Sequence, residues 1–285
     1  MSDTMESTSD RRGLLGDTPT RAYGDKLELF NRFAEPEIRQ LIRTLDPAPG
    51  SRVLDAGCGV GLTTGWFSEK VGESGLVVGC DLSGPHLQVA RANVVAGERA
   101  VEFVQCDIAA APFRAGSFDL VWCANTINHL AEPIAGVRRL TETLRPGGRI
   151  ALIQSGFLPD MFFAWDERLE RAVTGAVRQY YRDKYNLNAR DTTAMRGLVG
   201  LAQRAGLAQV SSQTVVIERT APLSDADRDY LLHAVFNGYW GERLRPYLSD
   251  DDWDEVQRLC DPASDAFCLD RLDFHHLQTL TMVVG

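Results

Sequence analysis

The sequence has 285 residues, of which 44% are hydrophobic and 24% charged, and its formal net charge is −9. This length allows one α/β core with modest additions, and a negative charge with no local cluster of Lys and Arg argues against a nucleic-acid partner. No apolar run approaches the ~20 residues that span a bilayer, the first residues lack a signal-peptide pattern and the six cysteines form no CxxC pair, so we expect a reduced, cytoplasmic protein without a membrane partner.

The predicted elements begin after a loose N-terminal tail, residues 1–20. Residues 21–156 contain one or two helices, followed by short apolar runs that alternate with amphipathic stretches. This alternation is typical of βαβ units around a mainly parallel sheet. The predicted strands cover residues 52–55, 76–81, 101–106, 118–123 and 149–155, and Pro146-Gly147-Gly148 predicts a turn before the last of them.

The second half of the chain combines helical additions with further core elements. Residues 157–191 predict a helical cap insertion, with a long amphipathic helix from Phe162 to Tyr185. Residues 192–219 predict a core helix and then a strand from Ala208 to Arg219. Residues 220–273 predict a second helical cap insertion, and residues 274–285 predict a closing core strand.

A glycine-rich loop follows the first predicted strand. The segment VLDAGCGVG, residues 53–61, brings together Asp55, Gly57, Gly59 and Gly61 before a helix. Glycines let a ligand approach a helix N-terminus closely, but a dinucleotide fingerprint requires GxGxxG, and Leu62 occupies the position of its last glycine. A carboxylate at Asp55 repels a pyrophosphate and attracts an ammonium or sulfonium group, so the loop indicates a cationic cofactor.

Two further acids end the next two predicted strands. Asp81 closes LVVGCD, where a carboxylate of a doubly wound sheet can accept hydrogen bonds from ribose hydroxyls. Asp107 closes VEFVQCD, where it can accept a hydrogen bond from an adenine amine. Each acid alone is explained as well by solvation or helix capping. Three acids at successive strand ends favour a binding site.

The motifs VLDAGCGVG, LVVGCDLS, QCDIAAAPF, SFDLVWCANTINHL and LRPGGRIAL, in this order, resemble those of class I, Rossmann-like S-adenosylmethionine-dependent methyltransferases. The resemblance implies an α/β fold with a doubly wound, seven-stranded, mostly parallel sheet of order 3-2-1-4-5-7-6, an antiparallel last strand and helical cap insertions. It also implies S-adenosyl-L-methionine as the cofactor and S-adenosyl-L-homocysteine as its product.

The same resemblance assigns cofactor-binding roles to individual positions. It places Asp55 with Gly57, Gly59 and Gly61 at the methionine end, Asp81 at the ribose, Leu82 beside the adenine, Asp107 with Ile108 at the adenine edge, Asn125 beside the methionine moiety and Tyr23 over the cofactor. One departure follows the fourth strand, where the usual Glu and Arg, three residues apart, are reversed as Arg139 and Glu142. The departure concerns a structural ion pair and leaves the cofactor site intact.

The acceptor is expected beyond the carboxyl ends of the strands, where both cap insertions begin. These insertions carry aromatic residues suited to an apolar cavity or to packing the cap itself: Phe162, Phe163, Trp165, Tyr180, Tyr181, Tyr185, Phe236, Tyr239 and Trp240. A small-molecule substrate is therefore expected. The sequence does not fix the number of subunits, and a homodimer is one of the arrangements that it allows.

Methyl transfer requires no metal, but a general base assists a hydroxyl nucleophile. His129 lies just past the fourth strand, where the methyltransferases that the chain resembles often carry a base, although it could equally only shape the cofactor pocket. The acid that usually supports this base after the fifth strand is replaced by Gln154 and Ser155. His275 and His276 open the final strand as weaker candidates, one directed inward and one outward.

The sequence therefore predicts a methyltransferase for a small organic acceptor, with O-methylation preferred over N- or C-methylation, in natural-product metabolism. An alternative is a protein of the same fold that retains the cofactor structurally and catalyses a cyclisation or rearrangement. A nicotinamide-dependent oxidoreductase is disfavoured by the glycine spacing and by Asp55.

Overall fold

The computed structural model describes residues 21–94, 101–156, 162–163, 165–185 and 194–285. The predicted tail therefore lies outside the described residues. The helices and strands in chain order are α1 Arg21–Phe33, α2 Glu35–Leu45, β1 Arg52–Ala56, α3 Leu62–Val71, β2 Leu76–Asp81, α4 Gly84–Asn93, β3 Val101–Gln105, β4 Phe118–Ala124, α5 Pro133–Glu142, β5 Leu144–Gly156, β6 Phe162–Phe163, α6 Glu167–Tyr185, α7 Ala194–Ala205, β7 Ser211–Thr220, α8 Asp225–Asp229, a π-helix Tyr230–Trp240, α9 Asp250–Cys260 and β8 His275–Val284.

All strands join one sheet. β3, β2, β1, β4 and β5 lie side by side and are parallel, β8 pairs antiparallel with β5, and β7 pairs antiparallel with the other edge of β8. Counted without the two-residue β6, the strand order is 3-2-1-4-5-7-6 with an antiparallel seventh strand. The expected fold class is confirmed.

The short strand β6 corrects one prediction. Phe162 and Phe163 do not begin the long helix, because they pair with Leu277 and His276 of β8. They lie on the edge of β8 that also holds β5, whose last residue, Gly156, pairs with Thr279. β6 therefore continues, along the same edge of β8, the pairing that β5 begins, and the chain then enters α6 at Glu167.

Strand β5 also differs from its predicted limits. It begins at Leu144 rather than at Arg149, so the Pro-Gly-Gly segment lies within the strand. The pairing with β4 is irregular there, because Phe118 pairs with Leu144 whereas Leu120 already pairs with Arg149. The segment forms a bulge that absorbs extra residues of β5, and beyond it the pairing with β4 continues in a shifted register.

Helices cover both faces of the sheet. One face is buried under α1, α2, α3, α6, α9 and the π-helix, which pack into a single apolar cluster with Val53, Trp122 and Ile153 of the strands. The other face is covered by α5 and α7, which pack against Leu54 and Leu152. Alternation along each strand therefore sends neighbouring residues to opposite layers. The six cysteines are free, and no helix in the described ranges combines the length and apolar character of a membrane span.

Candidate functional site

The glycine loop turns sharply between β1 and α3. The backbone N–H groups of Gly57 and Cys58 both donate to the carbonyl of Cys80, at 2.7 and 2.9 Å, which ties the loop to the end of β2. Gly57 has φ +80°, and a Cβ there would lie 2.2 Å from Oγ1 of Thr126. A left-handed backbone and this close approach both require glycine. The loop is therefore held tightly against the ends of β2 and β4.

Asp55 lies beneath this loop and is only 2% exposed. Its Oδ2 accepts a hydrogen bond of 2.7 Å from the Thr64 hydroxyl on the first turn of α3. Burial raises the pKa of the Asp55 carboxyl to about 7, the Thr64 hydrogen bond opposes that rise, and the nearby Asp81 carboxylate adds to it. A cation bound at the loop would stabilise the ionised form of Asp55.

Asp81 ends β2 and faces the same loop. Its Oδ2 accepts from the N–H of Gly59 at 2.9 Å, and its Oδ1 accepts from the N–H of Ser83 at 2.8 Å. Nδ1 of His86 lies 3.7 Å from Oδ1. A carboxylate has about four lone-pair positions, so each oxygen can still accept a further hydrogen bond. Two hydroxyls of a ribose match that remaining capacity.

Leu82 and Asp107 line the neighbouring edge in different ways. The Leu82 side chain is 58% exposed, which leaves an apolar surface next to Asp81. Asp107 is exposed and caps a short 3-10 turn, because its Oδ1 accepts from the N–H of Ala109 at 2.8 Å. The side chain of Ile108 is buried and packs in the apolar cluster beneath α5 and α7.

Asn125 joins the ends of two strands. Its backbone is left-handed, with φ +51°, and its Oδ1 accepts from the backbone N–H and the hydroxyl of Ser155 at 2.8 and 3.0 Å. The backbone N–H of Asn125 in turn donates to Ile153 at 2.9 Å. Asn125 therefore holds β4 and β5 together at their carboxyl ends.

The three candidate histidines occupy different environments. His129 ends the 3-10 turn Ile127–His129 that follows Asn125, and it is half-buried. His275 is exposed and its Nε2 lies 2.9 Å from Oε1 of Glu218. His276 points inward with no exposed surface, and burial lowers its pKa to about 3. The alternation along β8 thus separates the last two, with His276 on the cap side.

The structure assembles most of the predicted cofactor residues at one edge. Asp81 contacts the glycine loop through Gly59, and Cys80 holds the loop at the end of β2. Asp55, which precedes the loop, is bonded to Thr64, which follows it. Tyr23 lies in α1, but its side chain lies outside the described residues. Sequence reasoning missed Thr64, and it named Ser155 only as a replacement for an acid, not as the partner of Asn125. Thr64 is polar within the buried first turn of α3, and this contrast is the signal that could have found it.

The reversed pair after the fourth strand forms an ion pair in the new order. Nη1 of Arg139 lies 2.8 Å from Oε2 of Glu142, and Nη2 of Arg139 donates to the carbonyl of Ala111 at 2.7 Å. Arg139 therefore links α5 to the segment after Asp107. The reversed order therefore still forms an ion pair within α5.

Comparison with known proteins identifies the family. A family model described as a methyltransferase domain matches residues 53–148. The chain is 32% identical over 148 residues to the aklanonic acid methyltransferase DauC of a Streptomyces species (strain C5), and this match covers 50% of the chain and 67% of DauC. The chain belongs to the class I S-adenosylmethionine-dependent methyltransferases. The family's cofactor, S-adenosyl-L-methionine, agrees with the carboxylates found at the glycine loop.

Other members of the methyltransferase family match less of their own length. The methyltransferase GfsG of Streptomyces halstedii is 36% identical over 115 residues, which is 40% of this chain and 41% of GfsG. The chain therefore spans less than half of that relative. A solved phosphoethanolamine N-methyltransferase 2 of Haemonchus contortus, in complex with S-adenosyl-L-methionine, has a TM-score of 0.55 and 17% identity, covering 99% of this chain and 61% of that one. This likeness shows the fold alone.

Proposed function

We propose that the chain transfers a methyl group from S-adenosyl-L-methionine to a small organic acceptor of natural-product metabolism, with oxygen as the preferred nucleophile. The observation that carries the proposal is the pair of carboxylates, Asp55 and Asp81, that close on the glycine loop. The name of DauC gives aklanonic acid as its methyl acceptor, which supports a small organic acceptor for this chain.

In this proposal each residue at the sheet edge contacts a different part of the cofactor. The buried Asp55 attracts the cationic methionine end, and Asp81 uses its free lone pairs for the ribose hydroxyls. The exposed Leu82 side chain offers an apolar surface to the adenine, and Asp107 faces its amine. The chain therefore orients the sulfonium so that the acceptor can attack the methyl carbon in line.

His129 is proposed as the general base. It ends the 3-10 turn that follows Asn125, on the same edge of the sheet. It is half-buried, so its ring can contact both solvent and an acceptor. The end of β5 offers Gln154 and Ser155, and Ser155 already contacts Asn125. His129 therefore removes the acceptor proton without a carboxylate from β5, and a neutral imidazole suits that role near pH 7.

Two measurements test the proposed function. Isothermal titration should show binding of S-adenosyl-L-methionine and S-adenosyl-L-homocysteine, and the absence of both would contradict the proposal. Mass spectrometry with aklanonic acid and 1,8-dihydroxyanthraquinone as trial acceptors should then show a product that has gained one CH₂ unit. One S-adenosyl-L-homocysteine should form per methylated product. A rearranged product of unchanged mass, with the cofactor unconsumed, would support the alternative activity instead.

The role of His129 has its own test. His129→Gln should lower turnover of the best acceptor by roughly 10² to 10⁴-fold and leave the affinity for S-adenosyl-L-homocysteine unchanged. His275→Gln serves as the matched control, because His275 is exposed and paired with Glu218. Equal losses in both variants, or a loss of cofactor affinity in His129→Gln, would remove His129 from the role of base.

A further inference from the structure

Helix α4 begins with a buried histidine that reaches the carboxylate at the end of β2. His86 is the third residue of the helix and is 4% exposed, and its backbone N–H donates to Oγ of Ser83 at 3.3 Å. The ring nitrogen Nδ1 of His86 lies 3.7 Å from Oδ1 of Asp81. Burial of a polar ring is unfavourable, and a role beside Asp81 would explain why it is retained here.

The carboxylate of Asp81 is held on both of its oxygens. Oδ2 accepts from the N–H of Gly59 at 2.9 Å, and Oδ1 accepts from the N–H of Ser83 at 2.8 Å. The Asp81 side chain is 16% exposed, so only part of the carboxylate can face a ligand. The ring of His86 lies against Oδ1 at slightly more than the length of a hydrogen bond, and it therefore restricts how far the carboxylate can rotate.

The opposite edge of the His86 ring lies against helix α1. A Cβ on Gly24 would lie 3.2 Å from Cδ2 and 3.5 Å from Nε2 of His86, and 3.6 Å from Cγ1 of Val60. Three residues later in α1, Leu27 reaches the glycine loop, because a Cβ on Gly59 would lie 3.0 Å from Cδ1 of Leu27. The ring of His86 is therefore fixed between α1 and Asp81.

Helix α4, which carries His86, is itself fastened to the glycine loop. Nδ2 of Asn93, at the end of the helix, donates to the carbonyl of Val60 at 3.0 Å. A Cβ on Gly61 would lie 2.7 Å from Cβ of Ala90, so helix and loop are in close contact. A side chain that positions a binding group is most precise on such a rigid element. His86 therefore meets Asp81 from a fixed support.

The direction of the His86 ring suits a donor to Asp81. The ring turns Nδ1 towards Oδ1 of the carboxylate, and a hydrogen on Nδ1 is favoured there because a lone pair would face negative charge. Hydrogen bonds to a carboxylate are strong and depend on its orientation. With Ser83 and His86 on the side of Oδ1 and Gly59 on Oδ2, the remaining lone pairs of Asp81 have a defined direction.

We propose that His86 is a positioning residue for the cofactor: it directs Nδ1–H at Oδ1 of Asp81 and so holds the carboxylate in the orientation that accepts hydrogen bonds from the ribose hydroxyls. This inference rests on the proposed function, in which Asp81 contacts the ribose. His86 is almost wholly buried, so it acts through Asp81 rather than by touching the ligand. Helix α1, which covers the other edge of the ring, keeps His86 in place.

The test compares the affinities of S-adenosyl-L-homocysteine and its 2′-deoxy analogue, which lacks one ribose hydroxyl, by titration calorimetry. The ratio of the two affinities reports the ribose contact, whereas a general disturbance of the loop weakens both ligands alike. The parent chain should prefer S-adenosyl-L-homocysteine by at least about tenfold. His86→Leu should reduce this ratio to about threefold or less. His86→Asn resembles leucine in shape but keeps an N–H donor, so it should retain most of the parent ratio.

Further variants show whether His86 acts through Asp81. Asp81→Asn should itself reduce the affinity ratio, and the double variant Asp81→Asn with His86→Leu should have the same ratio as Asp81→Asn alone, because residues that act through one contact are not additive. His233 is exposed in the π-helix, so His233→Leu is the control and should leave the ratio unchanged. If His86→Leu does not fold, His86→Phe gives the same comparison, because phenylalanine also lacks a donor.

The outcomes separate this inference from the proposed function. An unchanged ratio in His86→Leu, equal ratios in the leucine and asparagine variants, or a further fall in the double variant would each overturn the role of His86 and leave the proposed function intact. A parent chain that binds both ligands equally would overturn the inference together with the ribose contact of Asp81. A parent chain that does not bind S-adenosyl-L-homocysteine would refute the proposed function and this inference with it.

Discussion

The Thr64 hydroxyl donates a hydrogen bond of 2.7 Å to Oδ2 of Asp55, inside the core and directly under the glycine loop. Burial raises the pKa of the Asp55 carboxyl to about 7, and the charge of Asp81 adds to the rise. The hydrogen bond from Thr64 opposes it. The carboxyl of Asp55 therefore changes its protonation near neutral pH. Anything that stabilises its charge, a cationic cofactor included, is linked to proton release.

Binding of S-adenosyl-L-homocysteine should strengthen as the pH rises from 6 to 8. Its ammonium group is attracted only by ionised Asp55, so affinity should fall by up to about tenfold per pH unit below 7. Titration calorimetry in two buffers of different ionisation enthalpy should detect the released proton at pH 6. Asp55→Asn should abolish the dependence, and Asp107→Asn, at an exposed site, should preserve it. The same slope in Asp55→Asn would contradict this assignment.

The buried carboxyl also links folding to pH. The folded state holds its proton up to about pH 7, whereas the unfolded chain releases it near pH 4. The stabilisation that this protonated carboxyl contributes is therefore fully present below pH 4 and is lost as the pH rises to 7. The free energy of unfolding falls over this range by on the order of a few kcal/mol. Asp55→Asn should accordingly be more stable than the parent chain at pH 8, with a smaller difference at pH 5, by urea denaturation. A constant difference would argue against a raised pKa.

Thr64→Val removes the hydroxyl and nearly preserves the shape of the side chain. The pKa of Asp55 should rise further without its hydrogen bond, so less of the carboxyl is ionised at pH 7 and affinity for S-adenosyl-L-homocysteine should fall several-fold. Thr64→Ser retains the donor and should bind nearly as the parent chain does. Equal affinity of the valine and serine variants at pH 7 would show that the bond does not tune Asp55.

Gly57→Ala tests the close contact between the loop and β4. The added Cβ would lie 2.2 Å from Oγ1 of Thr126, in a backbone with φ +80°. Gly116 has φ +70° and nothing within 4 Å, so Gly116→Ala carries the backbone strain alone, worth about 1 to 2 kcal/mol. Thermal denaturation should show a clearly larger loss for Gly57→Ala, together with lost cofactor affinity. Similar melting temperatures would mean that Thr126 moves away without penalty.

Arg219 connects three parts of the cap-side layer. Its guanidinium pairs with Glu37 of α2 at 2.8 Å and with Asp227 of α8 at 2.7 Å, at sites 13% exposed, and it lies over the Phe33 ring. Arg219→Gln removes the cation that pairs with two partly buried carboxylates and should destabilise the fold by about 3 kcal/mol. Arg258→Gln breaks the exposed pair with Glu255 and should change stability by less than about 1 kcal/mol. Denaturation by urea compares the two, and similar losses would contradict a clamping role for Arg219.

The cofactor edge could be predicted because its signals are local. Gly57, Gly59 and Gly61 are adjacent to a buried strand, and Asp81 and Asp107 end the next two strands, where a parallel sheet brings carboxyl ends to one edge. The error at Phe162 has the opposite origin. The residue continues an amphipathic helical pattern, but pairing with Leu277, more than a hundred positions away, draws it into the sheet.

The sequence by itself determined the α/β class, the family and the row of acids, because each depends on short motifs with a fixed relation to strands and turns. Only the tertiary structure decided the proton affinity of Asp55, the ion pairs of Arg219 and the complete burial of His276 and Gln278. Those properties depend on burial and on partners distant in sequence. Desolvation and hydrogen-bond satisfaction arise only once the layers have packed, so they cannot be predicted from the residue pattern.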